Sequence, residues 1–487
     1  MPMRIADPLG SAEAVDAEAR AAAVARALRG HGVRAGDRVL VKAGNSALYP
    51  ALLFALIHLD ASVVLLDAEH TGAATARIAE LAGIRWAVLD RPDEAPPGVT
   101  ALSTAELSAV ELSGPAELSA VELSGPAELS GPVELSDRAW RQRRDALVLW
   151  SSGSTGEPKG IVKSGRAVLE NLERTRRMMG YGPGDVLLPL LPFSHQYGMS
   201  LLLLARMAGA TLLTVPYTRL DRALPLAAAH GATVVDATPA TYLSMLNLDE
   251  RRPGLLAALD RVRLWCTGGA PMDGGLGRRF KAATGAPLLD GYGSTEAGNV
   301  AFATPDNPVA CGRVLDGVQV LVTDETGAPL PPGETGELRL LTPDLMAGYL
   351  TGPDTLVPPA AGPYRTGDLG RLDAAGNLTV LGRRFAVHRL GHTLYPEVLE
   401  HRAAACGRPV KIIPLADARR GHELVFVVAD PGGGEARHWR ERICAHLAPF
   451  EQPNHVLVVD RFPVTRRGKT DVPALTARVV RTLAHRP

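Results

Sequence analysis

A stretch of glycine and small hydroxyl residues, LVLWSSGSTGEPKG at 147–160, has the composition of a phosphate-binding loop. Its apolar start predicts a buried strand that opens abruptly into a turn. Three glycines would let the backbone take positive φ and approach an anion: Gly153, Gly156 and Gly160. Hydroxyl, backbone and ammonium donors would come from Ser151, Ser152, Ser154, Thr155 and Lys159. The spacing differs from that of a P-loop NTPase, and a flexible Gly/Ser turn without a ligand is the alternative.

The elements around this loop alternate between short apolar strands and helices. Before the loop, the pattern predicts strands at 38–41, 62–66 and 86–89 and helices at 11–28, 45–59 and 71–81. After the loop, it predicts helices at 167–179 and 201–208 and strands at 186–191, 211–215, 234–238 and 263–267. This alternation indicates parallel strands covered by helices on both faces, which is an α/β, doubly wound fold.

The chain changes character after Val300, where short β-type runs with frequent Gly and Pro predict hairpins of a smaller β unit. About the last hundred residues mix strands and helices. We therefore expect a large domain at 1–383 and a small, mobile α+β lid domain at 384–487. Within the large domain, the strand at 263–267 leads into Gly268 and Gly269, which form either a close backbone approach to a ligand or a sharp turn.

A tandem repeat interrupts the large domain. The segment AELSAVELSGP at 105–115 recurs at 116–126 and is followed by the shortened AELSGPVELSD. Gly-Pro would break a helix at the end of each copy, and one leucine pair per copy cannot bury a core. We expect residues 103–137 to form an exposed, disordered insertion, and a docking segment for a partner is the alternative.

Charge and cysteine content narrow the class of protein. Lys plus Arg and Asp plus Glu both number 52 among 487 residues, so no nucleic acid or acidic membrane is expected as a partner. The four cysteines lie far apart without a CxxC pair, which predicts buried thiols in a reducing compartment. They are Cys266, Cys311, Cys406 and Cys444. We find neither a signal-peptide pattern nor a membrane-spanning run, and we expect a soluble, cytoplasmic protein with small-molecule partners.

Four motifs resemble those of the adenylate-forming (AMP-binding) superfamily, which includes acyl- and aryl-CoA synthetases, stand-alone adenylation domains and luciferases. They are SSGSTGEPKG, GYGSTE, YRTGDLGRLDAAGNLTVLGRR and PVTRRGK, in that order and at similar separations over nearly the whole chain. The resemblance implies that a substrate carboxylate attacks the α-phosphate of ATP, which gives an acyl-adenylate and pyrophosphate. Such a displacement requires neutralised phosphate charge and an in-line arrangement of the reacting oxygens.

The resemblance also implies roles for residues of the first two motifs. Thr155 and Lys159 would contact the β- and γ-phosphates. Tyr292 would offer a ring face to adenine, and Thr295 would donate to the α-phosphate. Glu296 would bind Mg²⁺ as a hard oxygen ligand, and an ordinary surface carboxylate is the alternative.

The later motifs supply further charges by the same resemblance. Asp368 would accept hydrogen bonds from both ribose hydroxyls, and Arg383 would bind the ribose or phosphate region. Lys469 would swing in with the small domain and neutralise charge that develops on the reacting oxygens.

An acid pocket is expected beside LPFSHQYGMS, where related enzymes keep a pocket residue at the position of His195. A satisfied core histidine is the alternative. Residues 231–242 and 267–272 would line the pocket. The segment lacks the Phe-Asp pair that holds a substrate ammonium, so a neutral acyl or aryl acid is favoured over an α-amino acid.

The sequence departs from the family pattern at two places. The family commonly has Ser-His where this chain has Ser164 and Gly165. The hinge segment GRRFAVHRLG, at 382–391, is one residue short and has Phe385 and Ala386 where acidic residues belong. We therefore expect normal adenylate formation but slow transfer to free CoA.

The expected function is that of an ATP- and Mg²⁺-dependent acid ligase whose acceptor is a thiol, either CoA or the phosphopantetheine of a carrier protein. Transfer to a nitrogen nucleophile is one alternative. A degenerate nucleotide-binding or scaffold protein is another, and the complete set of charged motif residues argues against it.

Overall fold

The computed structural model describes residues 3–6, 15–112, 135–152, 158–270, 272, 274–324, 326–383, 387–390, 392–394, 396–463 and 471–484. These residues divide into a large unit, within Met1–Ser151 and Lys159–Gly382, and a small unit, which takes in Ser152 and Pro158 together with residues within Arg383–Pro487. The division along the chain falls one residue before the expected domain boundary.

Up to Arg383 the strands are β1 (Arg4–Ala6), β2 (Val15–Asp16), β3 (Arg38–Lys42), β4 (Ser62–Leu66), β5 (Trp86–Leu89), β6 (Thr100–Ser103), β7 (Leu147–Ser152), β8 (Pro158–Lys163), β9 (Val186–Leu190), β10 (Thr211–Leu213), β11 (Val234–Ala237), β12 (Leu264–Thr267), β13 (Leu289–Ser294), β14 (Gly298–Phe302), β15 (Arg313–Val314), β16 (Gln319–Thr323), β17 (Gly336–Leu341), β18 (Gly348–Gly352), β19 (Thr355–Val357), β20 (Tyr364–Leu372) and β21 (Leu378–Arg383). The helices are α1 (Ala17–His31), α2 (Leu48–His58), α3 (Gly72–Ala82), α4 (Thr104–Leu112), α5 (Arg138–Gln142), α6 (Gly165–Met179), α7 (Gln196–Ala208), α8 (Leu220–Ala229), α9 (Pro239–Arg251) and α10 (Gly274–Thr284).

Among the residues so described, the strands of the large unit form three sheets. One has nine strands in the order β15-β14-β13-β12-β11-β9-β10-β1-β2, and another has eight in the order β19-β18-β8-β7-β4-β3-β5-β6. The pairs from β1 to β13 in the first sheet and from β6 to β7 in the second are parallel. The third sheet, β16-β17-β20-β21, is the smaller β unit expected after Val300. The predicted α/β, doubly wound class is confirmed.

The two large sheets share the helices that lie between them. Val63 and Leu65 of β4 join the same apolar cluster as Leu187 of β9, and α1, α2, α6 and α7 contribute many of its other residues. Every residue of α2 from Leu48 to Ile57 is buried, because a helix between two sheets has no solvent face. The opposite sheet faces are covered by α3 on one side and by α8, α9 and α10 on the other.

Helix α6 explains one departure from the family pattern. The Ser164 hydroxyl caps this helix by accepting a hydrogen bond from the Ala167 amide at 3.2 Å. A Cβ atom added to Gly165 would lie 2.0 Å from the carbonyl oxygen of Trp140. Glycine follows Ser164 because the backbone of α5 occupies the space that a histidine side chain would need.

The prediction that 103–137 forms one exposed, disordered insertion is wrong at its beginning. Residues Thr104–Leu112 form α4, and Leu107 is buried in the apolar cluster between the two sheets. Leu135, near the end of the repeat, also packs against this cluster. Residues 113–134 lie outside the described part of the chain. The repeat therefore contributes apolar side chains to the core.

Three smaller expectations also need correction. Helix α7 begins at Gln196 rather than at 201. Gly160 lies in β8 without positive φ, and an added Cβ there would come 3.0 Å from the Trp150 ring. Cys444 is only half-buried, whereas the other three thiols are buried as expected.

The small unit contains both strands and helices. Its elements are β22 (Val387–Arg389), β23 (His392–Leu394), α11 (Pro396–Ala403), β24 (Val410–Asp417), β25 (Gly421–Ala429), α12 (Ala436–Cys444), β26 (His455–Val459) and α13 (Val472–Ala484). The described strands β24, β25 and β26 form one sheet, whose apolar faces pack against α11, α12 and α13. Phe385 and Ala386 of the hinge segment lie outside the described residues.

Candidate active site

Tyr292 and Asp368 form the strongest polar contact among the expected nucleotide-binding residues. The Tyr292 hydroxyl, on β13, donates to Oδ2 of Asp368, on β20, at 2.6 Å. The hydroxyl of Thr366 accepts a hydrogen bond from the Asp368 amide and fixes that strand locally. Both side chains of the pair are 8% exposed. A short hydrogen bond to a buried carboxylate is strong, so two motifs that lie 76 residues apart are locked together.

Thr295 and Glu296 lie in the turn between β13 and β14, and both are half-buried. A buried lysine holds this turn: Lys163 Nζ donates to the Glu296 carbonyl at 3.2 Å and to the Asp344 carbonyl at 2.8 Å. The Met346 amide donates to the same Glu296 carbonyl at 2.7 Å. The backbone of the turn is therefore fixed by hydrogen bonds. Glu296 itself is half-exposed.

Lys163 is a site residue that the sequence analysis missed. It is 1% exposed, and burial lowers its pKa to about 8 against the opposing influence of Asp344 and Glu296. The only signal in the sequence is a lysine that directly follows Ile161 and Val162 in a strand. Such a lysine more often lies at a strand end in solvent.

Asp344 extends this network to α6. Its carboxylate accepts from the Asn171 amide group at 2.8 Å and from the Arg174 guanidinium. Asn171 also accepts a hydrogen bond from the Asn299 amide at 2.9 Å, and Asn299 lies on β14. Helix α6 thus contacts both β14, which follows the Glu296 turn, and Asp344, whose carbonyl shares Lys163 with that turn.

The phosphate-binding loop is described only at its two ends. Ser151 and Ser152 end β7, whereas Ser154 and Thr155 lie outside the described residues. Lys159, near the start of β8, places Nζ 5.4 Å from the centre of the Tyr349 ring. The aromatic face stabilises the ammonium group at the edge of the loop.

His195 is neither a core histidine nor isolated. Its side chain is 43% exposed, and Nε2 lies 3.3 Å from Oδ2 of Asp67, which follows β4. Asp67 also accepts from the Ser194 hydroxyl at 3.3 Å and from the Glu69 amide at 2.9 Å. Asp67 is a second residue that the sequence analysis missed, because no motif surrounds it.

The glycines after β12 make a sharp turn against α7. Gly269 has φ of +80°, which favours glycine. A Cβ atom at Gly268 would lie 3.1 Å from the Gly291 carbonyl oxygen and 3.4 Å from Cε1 of Tyr197. The structure therefore brings the turn after β12 close to the middle of β13 and to the first turn of α7.

Arg383 and Lys469 are the predicted site residues of the last two motifs. Arg383 is the last residue of β21, and Lys469 lies in 464–470, outside the described residues. Their expected roles stay predictions.

The arrangement fits a nucleotide and a divalent cation. Asp368 supplies a fixed acceptor, Tyr292 an aromatic ring, and Glu296 one hard oxygen donor on a rigid turn. Mg²⁺ is commonly bound by one or two carboxylates together with substrate phosphates and water, so a single glutamate is a suitable protein ligand.

The family model of the AMP-binding enzymes matches residues 15–350 of this chain. The chain belongs to this family, and it is an adenylate-forming, CoA-ligase-like enzyme. The resemblance seen in the four motifs is confirmed.

Individual relatives differ in their acceptors. The chain is 29% identical over 484 residues to 4-coumarate–CoA ligase 5 of Oryza sativa subsp. japonica, covering 93% of this chain and 87% of the relative. It is 30% identical over 345 residues to a salicylyl-CoA synthase / salicylate adenylyltransferase of Streptomyces sp, covering 67% and 61%. The amide bond synthetase McbA of Marinactinospora thermotolerans superposes with a TM-score of 0.81 at 25% identity, covering 96% of this chain and 95% of that one.

Among the helices of the described ranges, none combines the length and apolar character needed to cross a membrane.

Proposed function

We propose that the chain activates a small acyl or aryl carboxylic acid with ATP and Mg²⁺, which gives an acyl-adenylate and pyrophosphate. The acyl group then passes to a thiol, either CoA or the phosphopantetheine of a carrier protein. The observation that carries this proposal is the buried hydrogen bond between Tyr292 and Asp368. This hydrogen bond joins the residue expected at adenine to the residue expected at ribose. The turn that carries Glu296 directly follows β13, the strand of Tyr292.

Each residue then has one task. Asp368 accepts from the ribose hydroxyls, and the small exposed part of Tyr292 contacts the base. Thr295 donates to the α-phosphate, and the Glu296 carboxylate binds Mg²⁺, which neutralises phosphate charge when bound. Arg383 contacts the ribose or phosphate region, and Lys469 neutralises charge on the reacting oxygens. The loop residues that bind the outer phosphates are Ser151, Ser152, Ser154, Thr155 and Lys159.

An aromatic acid is the preferred substrate class. Two relatives of this chain are named for coumarate and salicylate, both aromatic acids. His195 lines the entrance to the acid pocket, and Gly269 lets the loop after β12 approach the substrate. Ser194 precedes His195, so this segment offers no carboxylate to hold the ammonium of an α-amino acid.

A nitrogen acceptor is the second candidate. It is favoured by the similarity over 96% of the chain to an amide bond synthetase. The altered hinge at 382–391 also favours an acceptor other than free CoA.

The test is acid-dependent exchange of pyrophosphate into ATP over a panel of carboxylic acids, followed by mass analysis of products with CoA, a carrier protein and an amine. Lys469→Ala should lower exchange about a hundred- to a thousandfold, because it removes one group that stabilises the transition state. Lys281→Ala, on the exposed side of α10, is the matched control. Absence of exchange with every acid would favour the scaffold alternative, and unchanged exchange in Lys469→Ala would remove that lysine from the mechanism.

A further inference from the structure

Asp236 is a buried carboxyl group with an unused oxygen. It lies on β11 and is 2% exposed, and its Oδ1 accepts a hydrogen bond from the Tyr197 hydroxyl at 2.8 Å. Oδ2 is buried and has no hydrogen-bond partner within the described chain. No ion pair to Asp236 occurs among the described residues either. An unsatisfied buried carboxylate oxygen destabilises the fold unless something supplies a donor.

The position of this group is that of a ligand site. Asp236 lies near the carboxyl end of β11, opposite Pro189 of β9 and Cys266 of β12. In open parallel sheets, ligands bind at the carboxyl ends of the strands. Asp236 also falls within 231–242, the segment expected to line the acid pocket.

Tyr197 connects Asp236 with the rest of the candidate site. It lies two residues after His195 in the first turn of α7, and its ring lies against Gly268 at the end of β12. The ring thus reaches from the glycine turn down to Asp236. His195, two residues before Tyr197, is half-exposed, whereas Asp236 is buried.

The described residues around Asp236 supply no cation that pairs with it. Its acidic neighbours Tyr181 and Cys266 are themselves buried, and the nearby Arg263 forms an ion pair with Asp185 at 2.8 Å. Burial raises the pKa of Asp236 to about 7, although the Tyr197 hydrogen bond opposes this shift. When this carboxyl group is ionised, its charge has no ion-pair partner among the described residues.

We propose that Asp236, oriented by Tyr197, is a specificity-determining residue that binds a hydroxyl or amino donor at the end of the substrate acid remote from its reacting carboxyl group. This inference rests on the proposed function and narrows its substrate class to acids with such a donor. A bound water that satisfies Oδ2 is the competing explanation.

The test uses matched pairs of acids that differ only in the donor: benzoic and 4-hydroxybenzoic or 4-aminobenzoic acid, cinnamic and 4-hydroxycinnamic acid, and hexanoic and 6-hydroxyhexanoic acid. We expect kcat/KM for pyrophosphate exchange to favour the donor-bearing member of at least one pair about 10- to 100-fold, the usual effect of a hydrogen bond to a charged group. Comparison of the hydroxyl-bearing acids with the amino-bearing acid shows which donor Asp236 binds. A ratio near one for every pair in the wild-type enzyme would overturn the inference and leave the proposed function intact.

Two variants separate recognition from folding. Asp236→Asn keeps the shape of the side chain, and Tyr197→Phe/Asp236→Val removes both partners, so that neither is left unsatisfied. Both should bring the ratio close to one, and the double variant should keep or raise Tm. Thr214→Val, which removes a buried hydroxyl just after β10 of the same sheet, should change neither the ratio nor kcat/KM.

A double variant that keeps the wild-type ratio, or that loses Tm strongly, would show that the pair is structural and overturn the inference. If no acid supports exchange, the proposed function fails. In that case, the shift of Tm by each acid pair still decides whether Asp236 recognises the donor.

Discussion

At the scale of single residues, the pair of His195 and Asp67 places a fixed charge beside the segment that we propose to line the acid pocket. Burial raises the pKa of Asp67, but the hydrogen bond and charge of His195 and the Glu69 amide lower it more, so the net pKa lies below its usual range. The carboxylate is therefore ionised at neutral pH. It orients the His195 ring, which would otherwise rotate in solvent because it is nearly half-exposed.

Replacement of Asp67 by asparagine should therefore affect the acid and not the nucleotide. We expect Asp67→Asn to raise KM for the acid or lower kcat by about tenfold, the effect of one lost charge-assisted hydrogen bond. Pyrophosphate exchange measured against acid and ATP separately checks this.

The matched control lies at the other end of the same strand. Asp60 precedes β4 and pairs with Arg143 at 2.9 Å, whereas Asp67 follows β4. Asp60→Asn should leave both KM values unchanged. An equal rise of KM for acid and ATP in Asp67→Asn would contradict a role specific to the acid pocket.

At the scale of elements, β8 and α6 hold the β13–β14 turn through buried polar groups. Lys163 serves two carbonyl oxygens, and Asp344 accepts from Asn171 and Arg174. Sequence reasoning could name Glu296 as a candidate because its motif is local. It could not find Lys163 or Asp344, because their partners lie on elements far along the chain and buried charge has no local pattern.

Lys163→Met should lower the free energy of unfolding by about 1–3 kcal/mol, because a carbonyl oxygen is left unsatisfied. The loosened turn should also raise the Mg²⁺ concentration needed for half-maximal exchange. Urea unfolding and a Mg²⁺ titration measure the two effects.

Lys42→Met is the control, since Lys42 is also a buried lysine of this sheet and pairs with Glu94 at 2.9 Å. It should lose stability without changing the Mg²⁺ dependence. Identical Mg²⁺ titrations for wild type and Lys163→Met would show that the turn does not need this lysine.

The repeat has two different parts, and deletions can separate them. Removal of 105–136 takes away Leu107 and Leu135 of the core cluster and should lower the free energy of unfolding by about 2–5 kcal/mol, a typical cost of truncating a buried leucine. Removal of 116–126 alone keeps both leucines and should leave Tm nearly unchanged, since loop closure depends weakly on length. Thermal unfolding of the two deletions is the measurement, and equal Tm values would contradict a core role for Leu107 and Leu135.

At the scale of the whole molecule, the class of fold could be predicted and the grouping of its strands could not. Short apolar runs such as 62–66 predict parallel strands because their pattern is local. The division into two large sheets depends on which strands pair, for example β4 with β7 across the repeat insertion, and no local pattern records that. The hydrogen bond between Tyr292 and Asp368 could likewise not be predicted, although both residues were expected to bind the nucleotide.

Buried carboxyl groups should make stability depend on pH. Burial raises the pKa of Asp236 from 3.8 to about 7, so between these values the folded chain binds more protons than the unfolded chain. This contribution to stability is present at low pH and is lost as pH rises through 7. Asp236→Asn should therefore gain stability relative to wild type from pH 4 to pH 8, as measured by urea unfolding.

Asp185→Asn should behave in the opposite way. Burial raises the pKa of Asp185, but Arg263 and other hydrogen bonds lower it to a net value below the usual range. Its stabilisation is present at neutral pH and lost as pH falls through the lowered pKa. The same sign of pH dependence in both variants would contradict the assignment of these two environments.

The tandem repeat has a consequence for changes in chain length. The copies at 105–115 and 116–126 are identical, and the last, shortened copy contains the same Val-Glu-Leu-Ser as each earlier copy. A gain or loss of one whole copy, such as 116–126, would change the length of the insertion without altering the residues on either side of it. Every such event restores a leucine at the position of Leu107 and another at that of Leu135, so the core receives the same two side chains. Whole copies could therefore be added to or removed from the insertion without removing either leucine from the core.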